Sequence, residues 1–318
     1  MTLCACMIAG TLGLGGCALT TPTRAEVEPE RVQGVLTAND LVSEGTLTVA
    51  VDDSDAPQVM QGNEGNHTGY YIDVARAIAE RQGLDITVVS STDAEETLAE
   101  GEADLYIGEK AAGDDEEELV ATSPILENAC AVFGRVEGEA PTLSVDDLSG
   151  ATVAVQSGSA SQDALAKAGV DAELKTYSNV NQCFDALEAG EADYVACDAT
   201  AGSYLARAYP GVEFVSTVSD ATAFSIVFSS DAGNVSSQVT STLEELLDQG
   251  IIDALHRQWY GRLPLSLSDA LLEGVTLSEV GEDDTKESAG TGSNTSSSSE
   301  SDASDGELAI SGDLNALD

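Results

Sequence analysis

The chain has 318 residues, more than one core usually serves, and 42% of them are hydrophobic, enough for a globular body. Twelve Lys and Arg against 57 Asp and Glu give a formal net charge of −45, which argues against nucleic acid or anionic lipid as a partner, because both would repel it. Most of that charge reads as a solvated, self-repelling surface; a cationic partner or ligand is the other use it allows.

Residues Met1 to Gly16 carry no charge and contain the apolar stretch Cys4 to Leu14, too short to span a bilayer. The run ends Leu14-Gly15-Gly16-Cys17, which resembles the lipobox of bacterial lipoproteins. That resemblance implies that residues 1–16 are a signal peptide, that Cys17 is the lipidation site, and that the exported protein is held to the extracytoplasmic face of the cell membrane through a lipid anchor alone. The first basic residue is Arg24, so a positive n-region is missing; cleavage elsewhere with Cys17 incidental is the alternative, and it exports the protein too. Residues 17–38, rich in Thr, Pro and Glu at their start, read as a tether. Cys130, Cys183 and Cys197 then remain, an odd number that matches no zinc spacing. A Cys183–Cys197 disulfide and buried free thiols both fit.

The folded body begins near Asn39. Leu47–Val51 is a β-branched, apolar run suited to a buried strand, followed by a polar loop carrying Asp52, Asp53, Asp55 and Pro57. Gly69-Tyr70-Tyr71-Ile72-Asp73 then opens a helix with Ile72, Ala75, Ile78 and Ala79 near one face. Strands are predicted at Ile86–Ser90 and Ala103–Ile107, with a helical run Ala94–Glu100 between them and an acidic loop, Glu109 to Glu118, after them. A strand at Cys130–Phe133 leads into Val136–Pro141, read as a crossing between two lobes. Thr222–Ser229 is read as a strand returning to the first lobe, and Ser241–Trp259 as a helix interrupted by Gly250. His256 and Trp259 fit packing or capping better than ligand binding. The pattern fades from Ser266, and residues 266–318 read as an acidic, largely disordered tail.

Two elements occur twice in the same order. Thr152-Val153-Ala154-Val155 repeats Thr48-Val49-Ala50-Val51, and Leu187…Gly190-Glu191-Ala192-Asp193 repeats Leu98…Gly101-Glu102-Ala103-Asp104. Each is a helix end, a glycine stop and entry to a buried strand. Strand–helix alternation of this kind favours paired α/β lobes with parallel sheets, placed at 39–135 with 223–265 for the first lobe and 136–222 for the second.

With these residues the layout from about Leu41 to Gly261 resembles the family 3 extracellular solute-binding proteins, the polar amino-acid binders of ABC importers. The signals are Gly69 to Asp73 with Ala77-Ile78-Ala79, Ser123-Pro124, Val155-Gln156-Ser157-Gly158-Ser159, the two Gly-Glu-Ala-Asp turns, Asp198, and Gly250…Trp259. The resemblance implies an α/β, two-lobed periplasmic-binding-protein-like fold of type II that closes on a small solute in the cleft between its lobes and presents the closed shape to an ABC permease. It also implies a monomer that uses no cofactor or metal and is not an enzyme. The residues agree: His67 and His256 are the only histidines, and no nucleophile elbow or phosphate loop is present.

By that resemblance Gly158 and Ser159 form the turn that can hold a carboxylate, and Asp198 pairs with an α-ammonium. The first lobe departs from the pattern. The carboxylate-binding Arg position falls at Glu116 or Asp115, the stacking aromatic becomes Asp55, and the small polar cluster becomes Gly108, Glu109 and Ala111, with Lys110 the nearby base. A carboxylate cannot replace a guanidinium fork. The expected ligand set is therefore Asp53, Asp55, Tyr70, Gly108, Glu109, Glu116, Gly158, Ser159 and Asp198, suited to an amino-acid-like or cationic, amine-bearing solute. A lipoprotein that keeps the fold as an interaction scaffold and binds no solute is the alternative, and an enzyme on this fold is the third.

Overall fold

The computed structural model describes residues 36–62, 66–110, 119–136, 138 and 143–275. In chain order the first elements are β1 (Thr46–Val51), β2 (Met60–Gln61), β3 (His67–Thr68), α1 (Tyr70–Gln82), β4 (Asp85–Ser90), α2 (Ala94–Ala99), β5 (Leu105–Lys110), β6 (Leu119–Ala121) and β7 (Leu126–Asn128). They are followed by β8 (Cys130–Arg135), α3 (Val145–Leu148), β9 (Thr152–Gln156), α4 (Ala160–Lys167), β10 (Glu173–Tyr177), α5 (Val180–Glu188), β11 (Tyr194–Asp198), α6 (Ala199–Ala206) and β12 (Val212–Thr217). The last are β13 (Thr222–Ser229), α7 (Gly233–Asp248) and α8 (Ile251–Tyr260).

The strands form two main sheets. The first has the order β4-β1-β5-β13-β6 with β7 also on β13; the second has the order β10-β9-β11-β8-β12. In each, three strands run parallel and the next pairs antiparallel, so both sheets are mixed rather than parallel as the alternation suggested. The antiparallel pairings are made by the chain's crossings. Strand β8 pairs with β11 and β12 in the second sheet, so the first crossing lies at Ala129, between β7 and β8, and not after Arg135. The second lies between β12 and β13.

Each sheet is covered on both faces, and neighbouring residues of a strand enter different cores, the two-residue period of a doubly buried sheet. Val49, Val51, Leu105 and Phe228 pack beneath α1, α7 and α8, while Ala50, Tyr106 and Val227 face α2. In the second sheet Phe133, Ala154 and Val195 face α5 and α6, and Val132, Val153 and Ala196 face Leu148 and Leu165.

The repeated Gly-Glu-Ala-Asp turn has a specific job. Asp104 Oδ2 accepts from the Thr48 amide at 2.6 Å while its own amide donates to Thr48 O at 2.9 Å. Asp193 Oδ2 accepts from the Thr152 amide at 2.9 Å and its amide donates to Thr152 O at 2.8 Å. In both sheets the aspartate ties the incoming strand to the start of the strand that the sheet is built on.

Helix α1 starts at Gly69, where φ is +134° and a Cβ would lie 2.1 Å from Gln58 O, so only glycine fits. The predicted Ser241–Trp259 helix is two helices: Gly250 adopts φ +70° and ends α7 before α8 begins. His256 is buried between Tyr70 and Tyr260, with ring centroids 5.8 and 5.0 Å away. Trp259 donates from Nε1 to Asp73 Oδ2 at 2.8 Å and stacks on Tyr204 of α6, which carries α8 against the second sheet's helices.

Residues 266–275, expected to open a disordered tail, are instead packed. Leu267 and Leu272 are buried, the Thr217 amide donates to Ala270 O at 2.8 Å, and Glu127 accepts from the Leu267 amide at 2.6 Å. Ser, Leu and Asp alternate there too irregularly to show a helical or strand period, yet two leucines are enough to dock the segment. The rest of the expected tail, the signal segment, and the tether up to Gln33-Gly34-Val35 lie outside the described residues. Among the described residues no helix is long and apolar enough to cross a membrane.

Candidate functional site

A cavity of about 830 Å³ opens where the two crossings pass between the sheets. Its floor is the crossings themselves, Asn128, Ala129 and Cys130 on one side and Ser219, Asp220 and Thr222 on the other. The second sheet supplies the carboxyl ends of β9 and β11 and the start of α4; the first contributes Lys110 and Phe224. Ligands of open α/β sheets bind at the carboxyl ends of the strands, where the topology turns.

Asp198 ends β11 and caps α6. Its Oδ1 accepts from the Thr200 amide at 3.2 Å, the Thr200 hydroxyl at 2.8 Å and the Ala201 amide at 3.1 Å. Its Oδ2 accepts from Asn128 Nδ2 at 2.5 Å. The carboxylate is thus fixed in direction by helix and crossing together, and Oδ2 keeps a lone pair free for the cavity. Gly158 donates its amide to Gln162 Oε1 at 3.1 Å, and the Ser159 hydroxyl donates to Gln156 O at 2.8 Å, holding the turn that opens α4 onto the same space.

The first sheet's acids lie beyond this wall. Asp53 accepts from Gln61 at 2.6 Å, and Asp52 accepts from the Ser54 amide and hydroxyl. Asp55 is half-buried, accepts from Gln58 Nε2 at 3.0 Å through Oδ1, and is pushed up to about 7 by burial first, then by the fields of Asp198 and Asp52. The charge of Asp198 thus adds to the burial that keeps Asp55 protonated. The Tyr71 hydroxyl is buried with no hydrogen-bond partner among the described residues, and both burial and the field of the same two acids hold its proton on. Its ring lies on Gly108, where a Cβ would meet Cε2 at 2.5 Å.

Residues 47–262 match the model of the bacterial extracellular solute-binding proteins, family 3. The chain belongs to this family. Among solved structures, a substrate binding protein of a polar amino acid ABC uptake transporter from Streptococcus thermophilus is similar at TM-score 0.64 and 19% identity, covering 73% of this chain and 91% of that one. The second substrate binding domain of Lactococcus lactis GlnP, in its open conformation, gives TM-score 0.57 and 20% identity over 70% of this chain and 97% of that one. The L-cystine solute receptor of Neisseria gonorrhoeae, unliganded and open, gives 0.57 and 20% over 68% and 93%. These likenesses establish the fold as the type II arrangement of a periplasmic binding protein.

This solute-binding protein distributes its expected ligand residues unevenly. Gly158, Ser159 and Asp198 line the cavity. Asp53, Asp55, Gly108 and Glu109 do not; they stand on the first-sheet side, Glu109 with its carboxylate turned back to the Lys110 amide at 3.2 Å. Tyr70 is a correction: it is fully buried, donates to Ile125 O at 2.7 Å and packs on His256 and Tyr260, so it belongs to the core. Glu116 and Cys17 lie outside the described residues. The three described cysteines are free; burial pushes the Cys183 thiol up to about 12 and the Cys130 thiol, which lines the cavity, up to about 11. The solute-binding protein holds no group of three or more His, Cys, Asp and Glu that could bind a metal ion, among the described residues.

Asn128 and Phe224 escaped the sequence reading. Both sit on crossing strands, and the crossing was expected several residues too late. The polar pair Glu127-Asn128 ending the short strand Leu126–Asn128 was the signal available.

Proposed function

We propose that this chain is the extracytoplasmic substrate-binding lipoprotein of an ABC importer, anchored through Cys17 and binding a small amino-acid-like or amine-bearing solute between its two lobes. The observation that carries this reading is Asp198, a carboxylate aimed into the cavity by a helix N-terminus and by Asn128 of the crossing. A carboxylate so oriented takes an ammonium group. Lys110 and the Gly158–Ser159 turn stand around the same cavity and can receive the solute's other end. A site on the crossings also explains transport: binding there changes the angle between the halves, and a permease can read that angle.

Thermal-shift measurement of the full chain against the amino acids, polyamines and short peptides tests the reading. A solute at 100 times its Kd adds about 2.7 kcal/mol, or roughly 5–10 °C for a body of this size. Stabilisation by an amine-bearing solute, lost in Asp198→Asn, is the expected result. Failure of every solute to shift the transition would reject solute binding and favour the scaffold role.

A further inference from the structure

We infer that residues 262–275 form a strap behind the two crossings, a third passage of the chain between the lobes, which holds the cleft open and must yield when the lobes close. The strap acts on the empty protein, so it stands or falls apart from the identity of any solute.

The segment leaves the first lobe at the end of α8, where the Leu263 amide donates to Tyr260 O at 3.2 Å and the Leu263 side chain is buried. Arg262 Nη1 donates to both carboxylate oxygens of Glu213 on β12, at 2.8 and 3.0 Å. Further on, Glu127 Oε2 accepts from the Leu267 amide at 2.6 Å and from the Ser266 hydroxyl at 3.1 Å. Thr217, the last residue of β12, then donates its amide to Ala270 O and accepts from the Leu272 amide, both at 2.8 Å. These two bonds add a parallel bridge to the outer edge of the second sheet. Leu272 enters the second-lobe core with Val132, Leu148 and Leu165, and the Val145 amide donates to Glu273 O at 2.9 Å. The strap is therefore seated at both ends, in different lobes.

Its side of the hinge follows from the pleat. Successive side chains of a strand point to opposite faces. Asn128 lines the cavity, so Glu127 beside it on β7 points away, and the segment it grips lies at the back. The partner strand agrees: Thr222 and Phe224 of β13 line the cavity, while Ala223, directly opposite Glu127, does not. No described residue of the strap lines the cavity either. Closing a hinge shortens the path across its front and lengthens the path across its back. Closure therefore stretches the strap and strains its bonds to Glu213, Glu127 and Thr217. Bonds made in the open form alone lower the closed population of the empty protein by their own equilibrium factor.

The test is pulsed electron–electron double resonance on the full chain without solute. Spin labels are carried by keto amino acids introduced at Thr92 and Asp163, exposed positions just beyond β4 and in the first turn of α4, so that no cysteine is modified. Glu127→Ala removes the acceptor for Leu267 and Ser266. It should raise the fraction of short interlobe distances about threefold to tenfold, the weight of one hydrogen bond. Glu127→Gln keeps an acceptor oxygen and should raise it less. Leu272→Ala loosens the far seat and should act in the same direction, with urea unfolding measured alongside to separate a loosened strap from a disrupted second lobe. If Leu272→Ala does not fold, the two Glu127 variants decide alone. A distance distribution that the Glu127 variants leave unchanged, or move only to longer distances, would overturn the strap as a brake on closure. Either outcome leaves the transport reading to its own thermal-shift test.

Discussion

Asp55→Asn in the unliganded protein isolates the energetic cost of the acidic cleft. The carboxyl is raised from 3.8 to about 7 by burial, Asp198 and Asp52. Below about pH 4 it is protonated in both folded and unfolded chains and contributes nothing. As pH rises toward 7 the unfolded chain loses the proton first, so stability falls, and above about 7 the folded chain carries the full cost of an ionised, half-buried acid beside other acids. At about 1.36 kcal/mol per pH unit the ceiling is about 4 kcal/mol; water reaching a partly exposed side chain in an open cleft reduces it to roughly 1–3 kcal/mol. Asparagine keeps an acceptor for Gln58 and removes the charge. Urea unfolding of both proteins from about pH 4.5 to 8.5 should show the variant more stable at the alkaline end and the two curves converging toward the acid end. The His256 contribution, lowered to about 4 and therefore lost as pH falls below 6.5, is common to both and cancels. A difference independent of pH, or a wild type more stable at about pH 8, would refute the electrostatic argument.

Other consequences follow from the same geometry. Gly108→Ala places a Cβ 2.5 Å from the Tyr71 ring at a φ of +101°, and the unfolding free energy from urea titration should fall by about 1–3 kcal/mol. Asp104→Ala orphans the amides of Val42 and Thr48, held at 2.7 and 2.6 Å, at about 2–4 kcal/mol, whereas the more exposed Asp193→Ala should cost about 1 kcal/mol; equal losses would contradict the burial difference. The chain's single tryptophan, Trp259, stacks on Tyr204 at 6.1 Å between centroids and bonds Asp73. Its emission should therefore shift when a solute binds, and Tyr204→Ala should shift it without a solute.

What the sequence determined by itself was the scaffold, because that information is local or periodic. The β-branched runs at Leu47–Val51 and Thr152–Val155, the glycine forced at position 69, and the twin Gly-Glu-Ala-Asp turns each specify backbone conformation within a few residues. Their order was enough for a two-lobed solute-binding fold; Gly158, Ser159 and Asp198, which the family resemblance singled out, line the cavity. The tertiary structure decided which sheet the crossing strands join. A run such as Cys130–Arg135 is equally apolar in either sheet, and its hydrogen-bond partners lie more than fifty residues away in β11 and β12. That choice moved the crossing to Ala129, brought Asn128 to Asp198 and Phe224 to the cavity, and sent Tyr70 into the core. It also brought Asp55 into the field of Asp198, acids 143 positions apart by their numbers. Electrostatic cost depends on separation and burial in space, and neither is written in the order of residues along the chain.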